Sequence, residues 1–214
     1  DLVTGVQTCA LPILMALASC RSPLSSSASI SAEQFKYLDA DIIFQETQSG
    51  QAEAVKRATR SKYSHVGIIY FKKNRAYVFE AVEPVKVTPL TDFIAHGVKK
   101  KYVVKRLKNA DVLTADIQRK MEVEARRHVG KKYDWVFGWS DERIYCSELV
   151  WKIYQHGAGI TLVAPMKLKE FNLDDPVVKK KLKERYGNKV PLEEPAVSPG
   201  QLFDSPLLTT VSEN

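Results

Sequence analysis

The sequence predicts an α+β fold, an antiparallel sheet or small barrel packed against helices. Two adjacent strand-like segments, His65 to Phe71 (HVGIIYF) and Ala76 to Ala81 (AYVFEA), are separated only by the polar turn Lys72-Lys73-Asn74-Arg75. The helical periodicities come later in the chain, behind Thr114 and from Cys146 onward, so strands precede helices. Hydrophobic residues make up 44% and charged residues 27% of the 214, a composition that supports a packed core.

Residues 1–31 read as a signal remnant and linker. The chain begins with Asp1, and Asp1 to Pro12 carries no Lys or Arg and reads as non-native. The apolar run Ile13 to Ala18 is too short to span a membrane as a helix. It ends in Leu17-Ala18-Ser19-Cys20, which resembles a bacterial lipobox, with Cys20 as the lipidated residue; a chance small-residue stretch is the alternative. Ser22 to Ser31 follows as a Ser-rich tether. An acyl anchor on Cys20 would hold the protein to a membrane, each buried methylene contributing about 0.8 kcal/mol. The expected location is therefore the bacterial cell envelope, as a periplasmic membrane-anchored lipoprotein.

The folded domain is expected over residues 32–208, with 209–214 as a tail. Asp41 to Gln45 reads as a short strand and Gly50 to Arg60 as one or two helical turns. After the hairpin, Val85 to Val87 and Tyr102 to Leu107 read as strands, with a short helix over Pro89 to His96. Thr114 is a plausible N-cap for a helix carrying Ile117, Met121 and Ala125 on one face, ended by Gly130. Tyr133 to Ile144 is an aromatic-rich loop. A helix starts at or near Cys146 and stops at Gly157, burying Leu149, Val150, Ile153 and Tyr154. A surface helix follows Pro176 within Asp174 to Tyr186, and the Pro-rich end is read as extended.

The net charge of +7 can attract nucleic acid, anionic lipid or an acidic polymer, and its sign does not choose among them. No zinc finger, helix-turn-helix or aromatic RNA-binding signature is present, so no nucleic acid partner is expected. The cysteines Cys9, Cys20 and Cys146 fit neither a disulfide framework nor a zinc site, and no metal or other cofactor is expected. Cys146 alone inside the domain could be a small buried core residue. At a helix start, however, it has the partial positive charge that favours a thiolate.

His65 opens a strand, and the hairpin supplies a third group. With a turn of even length, Phe71 faces Ala76, His65 faces Val82 and Gly67 faces Glu80. His65 and Glu80 are then diagonal neighbours on one face, roughly 7–8 Å apart between backbones. An odd loop would turn Glu80 away. Glu80 could be a solvated strand residue, but its neighbours Val78 and Val82 are apolar, so the carboxylate needs a partner. Glu83 is a weaker rival. Together Cys146, His65 and Glu80 form a candidate nucleophile, base and orienting carboxylate. Oxyanion donors would come from backbone N–H groups near Cys146 and Ser147, with the Tyr63 hydroxyl as an extra donor or simply a core aromatic. The aromatics Tyr133, Trp135, Phe137 and Trp139 are expected mostly in the core, partly along a groove.

SHVGIIY (Ser64 to Tyr70), FEAVEPVKVTPL (Phe79 to Leu90) and RIYCSELVWKIY (Arg143 to Tyr154) resemble the YiiX/YebB-like cysteine hydrolases, circularly permuted relatives of the NlpC-type cell-wall peptidases. The resemblance runs from about Asp39 to Leu208. It implies a permuted papain-like hydrolase domain with histidine, a polar residue and cysteine in that chain order, matched by His65, Glu80 and Cys146. It also implies amide or ester cleavage through a thioester, with peptidoglycan peptides or a lipid-type acyl or amide group as substrate. The missing basic n-region departs from a lipoprotein signal. Two other functions remain open at this level, a non-catalytic envelope lipoprotein that binds glycan or lipid, and a lipid acyltransferase.

Overall fold

The computed structural model describes residues 36–214. The lipobox with Cys20 and the Ser-rich tether fall outside that range. The elements run in chain order as β1 (Ile42–Gln45), α1 (Gly50–Thr59), β2 (His65–Lys72), β3 (Arg75–Glu80), β4 (Lys86–Pro89), α2 (Leu90–Ala95), β5 (Tyr102–Leu107) and α3 (Ala115–His128). Two-residue strands β6 (Lys132–Tyr133) and β7 (Arg143–Ile144) lead into α4 (Cys146–Lys152), which continues as a π-helical turn over Ile153–Ala158. β8 (Met166–Lys167), α5 (Pro176–Tyr186), β9 (Pro195–Ala196), α6 (Pro199–Phe203) and β10 (Leu208–Glu213) complete the chain.

One six-stranded sheet dominates, in the order β10-β5-β1-β2-β3-β4, with every neighbouring pair antiparallel. The β2–β3 hairpin closes through Lys73 and Asn74, whose φ values of 48° and 59° are those a two-residue turn needs to match strand twist. An even loop keeps Phe71 opposite Ala76 and Ile68 opposite Phe79. The next step places Gly67 opposite Glu80. A Cβ at Gly67 would lie 2.4 Å from Val78 Cγ1 and 2.8 Å from the Phe79 carbonyl oxygen, so no larger residue fits under this part of the hairpin.

Both faces of the sheet are covered. On one, Phe44, Val66, Ile68 and Phe79 join Met121 and Ala125 of α3 with Leu149 and Val150 of α4 in the main core. On the other, Ile43, Ile69, Val78 and Val104 pack around Phe93 of α2. Gly157 lets the π-helical turn approach α3, since a Cβ there would meet the Met121 Cα at 2.6 Å. No helix among the described residues is long and apolar enough to cross a membrane.

The Pro-rich end, read as extended, holds the short helix α6. Residues 209–214 are not a tail: Leu208–Glu213 forms β10 and pairs with β5, with a register shift between Thr210 and Ser212. Its β-branched content, Thr209, Thr210 and Val211, suits an edge strand and outweighs its terminal position. Ser198 caps α6, accepting from the Gln201 backbone N–H, while Gln201 Oε1 accepts from the Ser198 backbone N–H.

Candidate active site

Cys146 is the first residue of α4. Tyr145 before it is extended (φ −106°, ψ 168°), and its N–H donates to Glu148 Oε2 at 3.4 Å, which fixes where the helix begins. The first helical bond, Leu149 N–H to the Tyr145 carbonyl, leaves the N–H groups of Cys146 and Ser147 outside the helix ladder. The Cys146 side chain is buried and not in a disulfide.

His65 stands at the start of β2, its imidazole stacked on Phe93 of α2 with ring centroids 5.4 Å apart. His65 Nε2 lies 2.7 Å from Glu80 Oε2. The other oxygen of Glu80, Oε1, accepts from the Thr88 hydroxyl on β4. Cys146 is close enough to His65 to interact with its ring electrostatically. Since Nε2 is taken by the carboxylate, Nδ1 is the nitrogen left for sulfur. The hairpin register thus brings His65 and Glu80 into contact, and Cys146 at the start of α4 interacts with His65 from a third segment.

The electrostatics follow from this chain of contacts. Burial works to lower the pKa of His65, but the contacts to Cys146 and Glu80 outweigh it and push it up to about 10. Burial works to raise Glu80, and the bonds from His65 and Thr88 outweigh that, holding its carboxyl below the usual carboxylate range. The imidazole is therefore a buried cation against a buried carboxylate. The His65 ring should titrate near pH 10 rather than near 6.5, as read from its imidazole NMR signals. A raised folded-state pKa also means that the ion pair's contribution to stability is complete below about pH 6.5 and is lost as the pH rises through about 10. A midpoint for the ring near 6.5 would contradict the arrangement.

The other expected residues fall differently. Tyr63 is a core aromatic: it stacks on Phe203 at 4.2 Å, packs edge-on against Phe44 and carries Lys62 over its ring. It is not among the residues lining the cavity at Cys146. Its ring packs in the Phe44–Phe203 cluster, the core-aromatic alternative. The Ser147 hydroxyl donates to the Val197 carbonyl at 2.7 Å, a structural bond, so Ser147 can offer the site only its backbone N–H. Glu83 accepts from the Tyr133 N–H at 3.0 Å and is not the orienting carboxylate of His65.

Tyr133 is a second phenol near Cys146. The parallel pairing of β6 with β7 sets Tyr133 opposite Ile144, two residues before Cys146. Tyr133 lines the same cavity as Cys146, and burial, then its interaction with that sulfur, pushes its pKa well above that of an ordinary phenol. It stays a neutral donor. Read from the sequence, Tyr133 was one member of an aromatic loop; a two-residue bridge leaves no periodicity to reveal it.

A cavity of about 80 Å³ opens beside Cys146. Ala54, Val55 and Ala58 of α1 form one wall, Val178 and Leu182 of α5 another, and Phe137, Phe171 and Val197 close it. Among the described residues, no group of three or more His, Cys, Asp or Glu side chains is arranged to hold a metal ion.

Comparison with known proteins adds three findings. Residues 37–212 match the family model described as "Permuted papain-like amidase enzyme, YaeF/YiiX, C92 family". The chain is 49% identical to the protein YiiX of Escherichia coli (strain K12) over 190 residues, covering 89% of this chain and 93% of that one. It also superposes on the crystal structure of metalloprotein yiiX from Escherichia coli O157:H7, with a TM-score of 0.80 and 50% identity over 84% of this chain and 98% of the other.

Proposed function

The chain belongs to the YaeF/YiiX family of permuted papain-like amidases, and from that premise we propose that it cleaves an amide through a thioester on Cys146, with His65 as proton carrier and Glu80 as its orienting carboxylate. The single observation that carries this reading is the 2.7 Å contact from His65 Nε2 to Glu80, which leaves Nδ1 for sulfur.

Cys146 and His65 share one proton, and in the reacting state it is held on the imidazole. Sulfur attacks the amide carbonyl carbon. A C–S bond forms and the carbonyl π electrons move to oxygen, where the Tyr133 hydroxyl and the backbone N–H groups of Cys146 and Ser147 can receive the charge. The oxyanion collapses and the C–N bond breaks, with the His65 proton passing to the leaving nitrogen. The neutral ring then takes a proton from water as its oxygen attacks the thioester. The C–S bond breaks, the acid product leaves, and the proton remains on His65. Glu80 keeps its charge throughout and offsets that of the ring.

The acyl group is read as apolar, because the cavity at Cys146 is walled by aliphatic and aromatic side chains. Such a group fits a lipid-type amide or an apolar peptide segment of the cell wall. Membrane attachment through Cys20 in the cell envelope is proposed with it, on the lipobox sequence alone. The description of the relative as a metalloprotein brings no metal into the proposed steps, since the described residues offer no three-ligand set to hold one. Transfer of the acyl group to an amine or lipid acceptor is a second reading, favoured by the same apolar walls; it differs only in what attacks the thioester.

The test is to incubate the protein with cell-wall digests and with phospholipid extracts, quench in acid and search by mass spectrometry for an acyl adduct on the peptide containing Cys146. An adduct there, with free amine released, is the expected result. Substrate turnover with no adduct at Cys146 under any quench would remove the thioester from the reaction.

A further inference from the structure

We propose that the cleft between α1 and α5 is an acyl-side subsite for a substrate whose apolar chain ends in a carboxylate, with Arg185 as the residue that receives the charge. The inference rests on the thioester chemistry at Cys146 and deepens it by naming what the acyl group carries.

Three observations lead there. First, Arg185 lines the same cavity as Cys146 and Tyr133, and among the described residues no carboxylate pairs with it; its guanidinium lies over the Phe137 ring, 5.2 Å from the centroid. The carboxylates nearby act on Arg185 only through space and form no ion pair with it. Glu184 takes Lys181 at 2.6 Å, and Asp134 accepts from the Val136 N–H at 2.9 Å. Burial pulls the pKa of Arg185 down by more than the neighbouring groups, Glu184 and Asp134 among them, raise it. A half-buried unpaired charge is costly to keep, and stacking on an aromatic ring offsets only part of that cost.

Second, Gln51 on the first turn of α1 lines the same cleft, and both its Nε2 and its Oε1 are buried without a hydrogen-bond partner. An amide with donor and acceptor both idle is rare in a folded interior. Here it offers a ligand one of each.

Third, between these polar groups the walls are apolar: Ala54, Val55 and Ala58 face Val178 and Leu182. A neutral acyl chain would satisfy the walls and leave Arg185 and Gln51 idle. An anionic chain satisfies both, because the planar guanidinium fork matches a carboxylate in two parallel bonds. Lys181, also lining the cleft, is paired with Glu184, so Arg185 is the cation left to meet a ligand charge there.

The test uses matched p-nitrophenyl esters as acyl donors, in which acylation forms the C–S bond to Cys146, breaks the ester C–O bond and releases p-nitrophenolate. Butanoyl, hexanoyl and octanoyl esters are compared with the mono-esters of succinate, adipate and suberate, so that the carboxylate is offered at three depths. At one or more lengths the anionic ester is expected to acylate Cys146 about tenfold faster, the scale of a charged hydrogen bond. That ratio should fall toward one in Arg185→Gln, be partly restored in Arg185→Lys, and decline with added salt. Equal or faster acylation by the neutral ester at every length would overturn the subsite while leaving the thioester reading intact. So would an Arg185→Gln variant that keeps the full preference. If Arg185→Gln fails to fold, the lysine variant and the salt dependence of the native ratio decide in the same way. Acylation of no ester by the folded protein would instead sink the thioester reading, and the subsite with it.

Discussion

Replacing Cys146 with alanine is expected to lower amide turnover by about 10⁴-fold or more, since loss of one member of a nucleophile–base pair costs nearly as much as loss of the pair. The fold should survive. The side chain is buried at a helix start, is in no disulfide, and its removal deletes a single heavy atom from the core. The unfolding midpoint in urea should therefore move little, and the far-ultraviolet circular dichroism should not change. Cys146→Ser is the sharper variant, because it keeps the size and a hydroxyl proton. A hydroxyl beside His65 is not ionised as a thiol can be, so the serine enzyme should also be severely impaired. The measurement is product release from the substrate that forms the Cys146 adduct, at matched protein concentration and with the folded fraction checked. An alanine variant that turns over the same amide at a comparable rate would place the nucleophile elsewhere. A non-catalytic envelope lipoprotein would show no turnover with either the native or the variant chain, and so is separated by the same assay.

The His65–Glu80 contact was legible in the sequence because short-range rules fix it. An even polar turn sets the β2–β3 register, and register alone puts His65 and Glu80 on one face. Helical periodicity after Cys146, with Leu149, Val150 and Ile153 buried, places that residue at a helix start. What was not legible depends on contacts between distant, irregular segments. Tyr133 is set beside Ile144, two residues before Cys146, by a bridge of two residues, and Tyr63 packs on Phe203, 140 positions further on in a short helix that hydropathy does not announce. β10 was missed for a related reason: half of a terminal strand's signal is its partner, and β5 is a hundred residues earlier in the chain. Thr88 could have been proposed as a neighbour of Glu80 only once the β3–β4 pairing was known, since Val78 rather than Glu80 is its direct partner.

That Thr88–Glu80–His65 chain makes the carboxylate the second position of large effect. Glu80→Ala is expected to lower turnover by about 10²- to 10⁴-fold, within the range by which positioned proton transfer accelerates reactions. It removes the acceptor 2.7 Å from His65 Nε2 and leaves both the ring N–H and the Thr88 hydroxyl buried without that partner. The variant should therefore also lose stability, by roughly 1–3 kcal/mol for each polar group left unsatisfied. Turnover alone cannot separate a lost charge from a disturbed core, so the pH profile is the informative readout. With Glu80 present, imidazolium persists to about pH 10, and the falling limb of activity should lie there. Without the carboxylate, burial still works against the charged ring, and the falling limb should move toward neutral pH. Glu80→Gln isolates the charge. Its amide oxygen can still accept from Nε2–H and its amide nitrogen can turn toward Thr88, so orientation and stability should be largely kept, while the falling limb shifts as in the alanine variant. If the limb stays near pH 10 in both variants, the charge of Glu80 is not what holds the proton on His65. The carboxylate would then be a structural group of the hairpin, and the proton would be held by the sulfur alone.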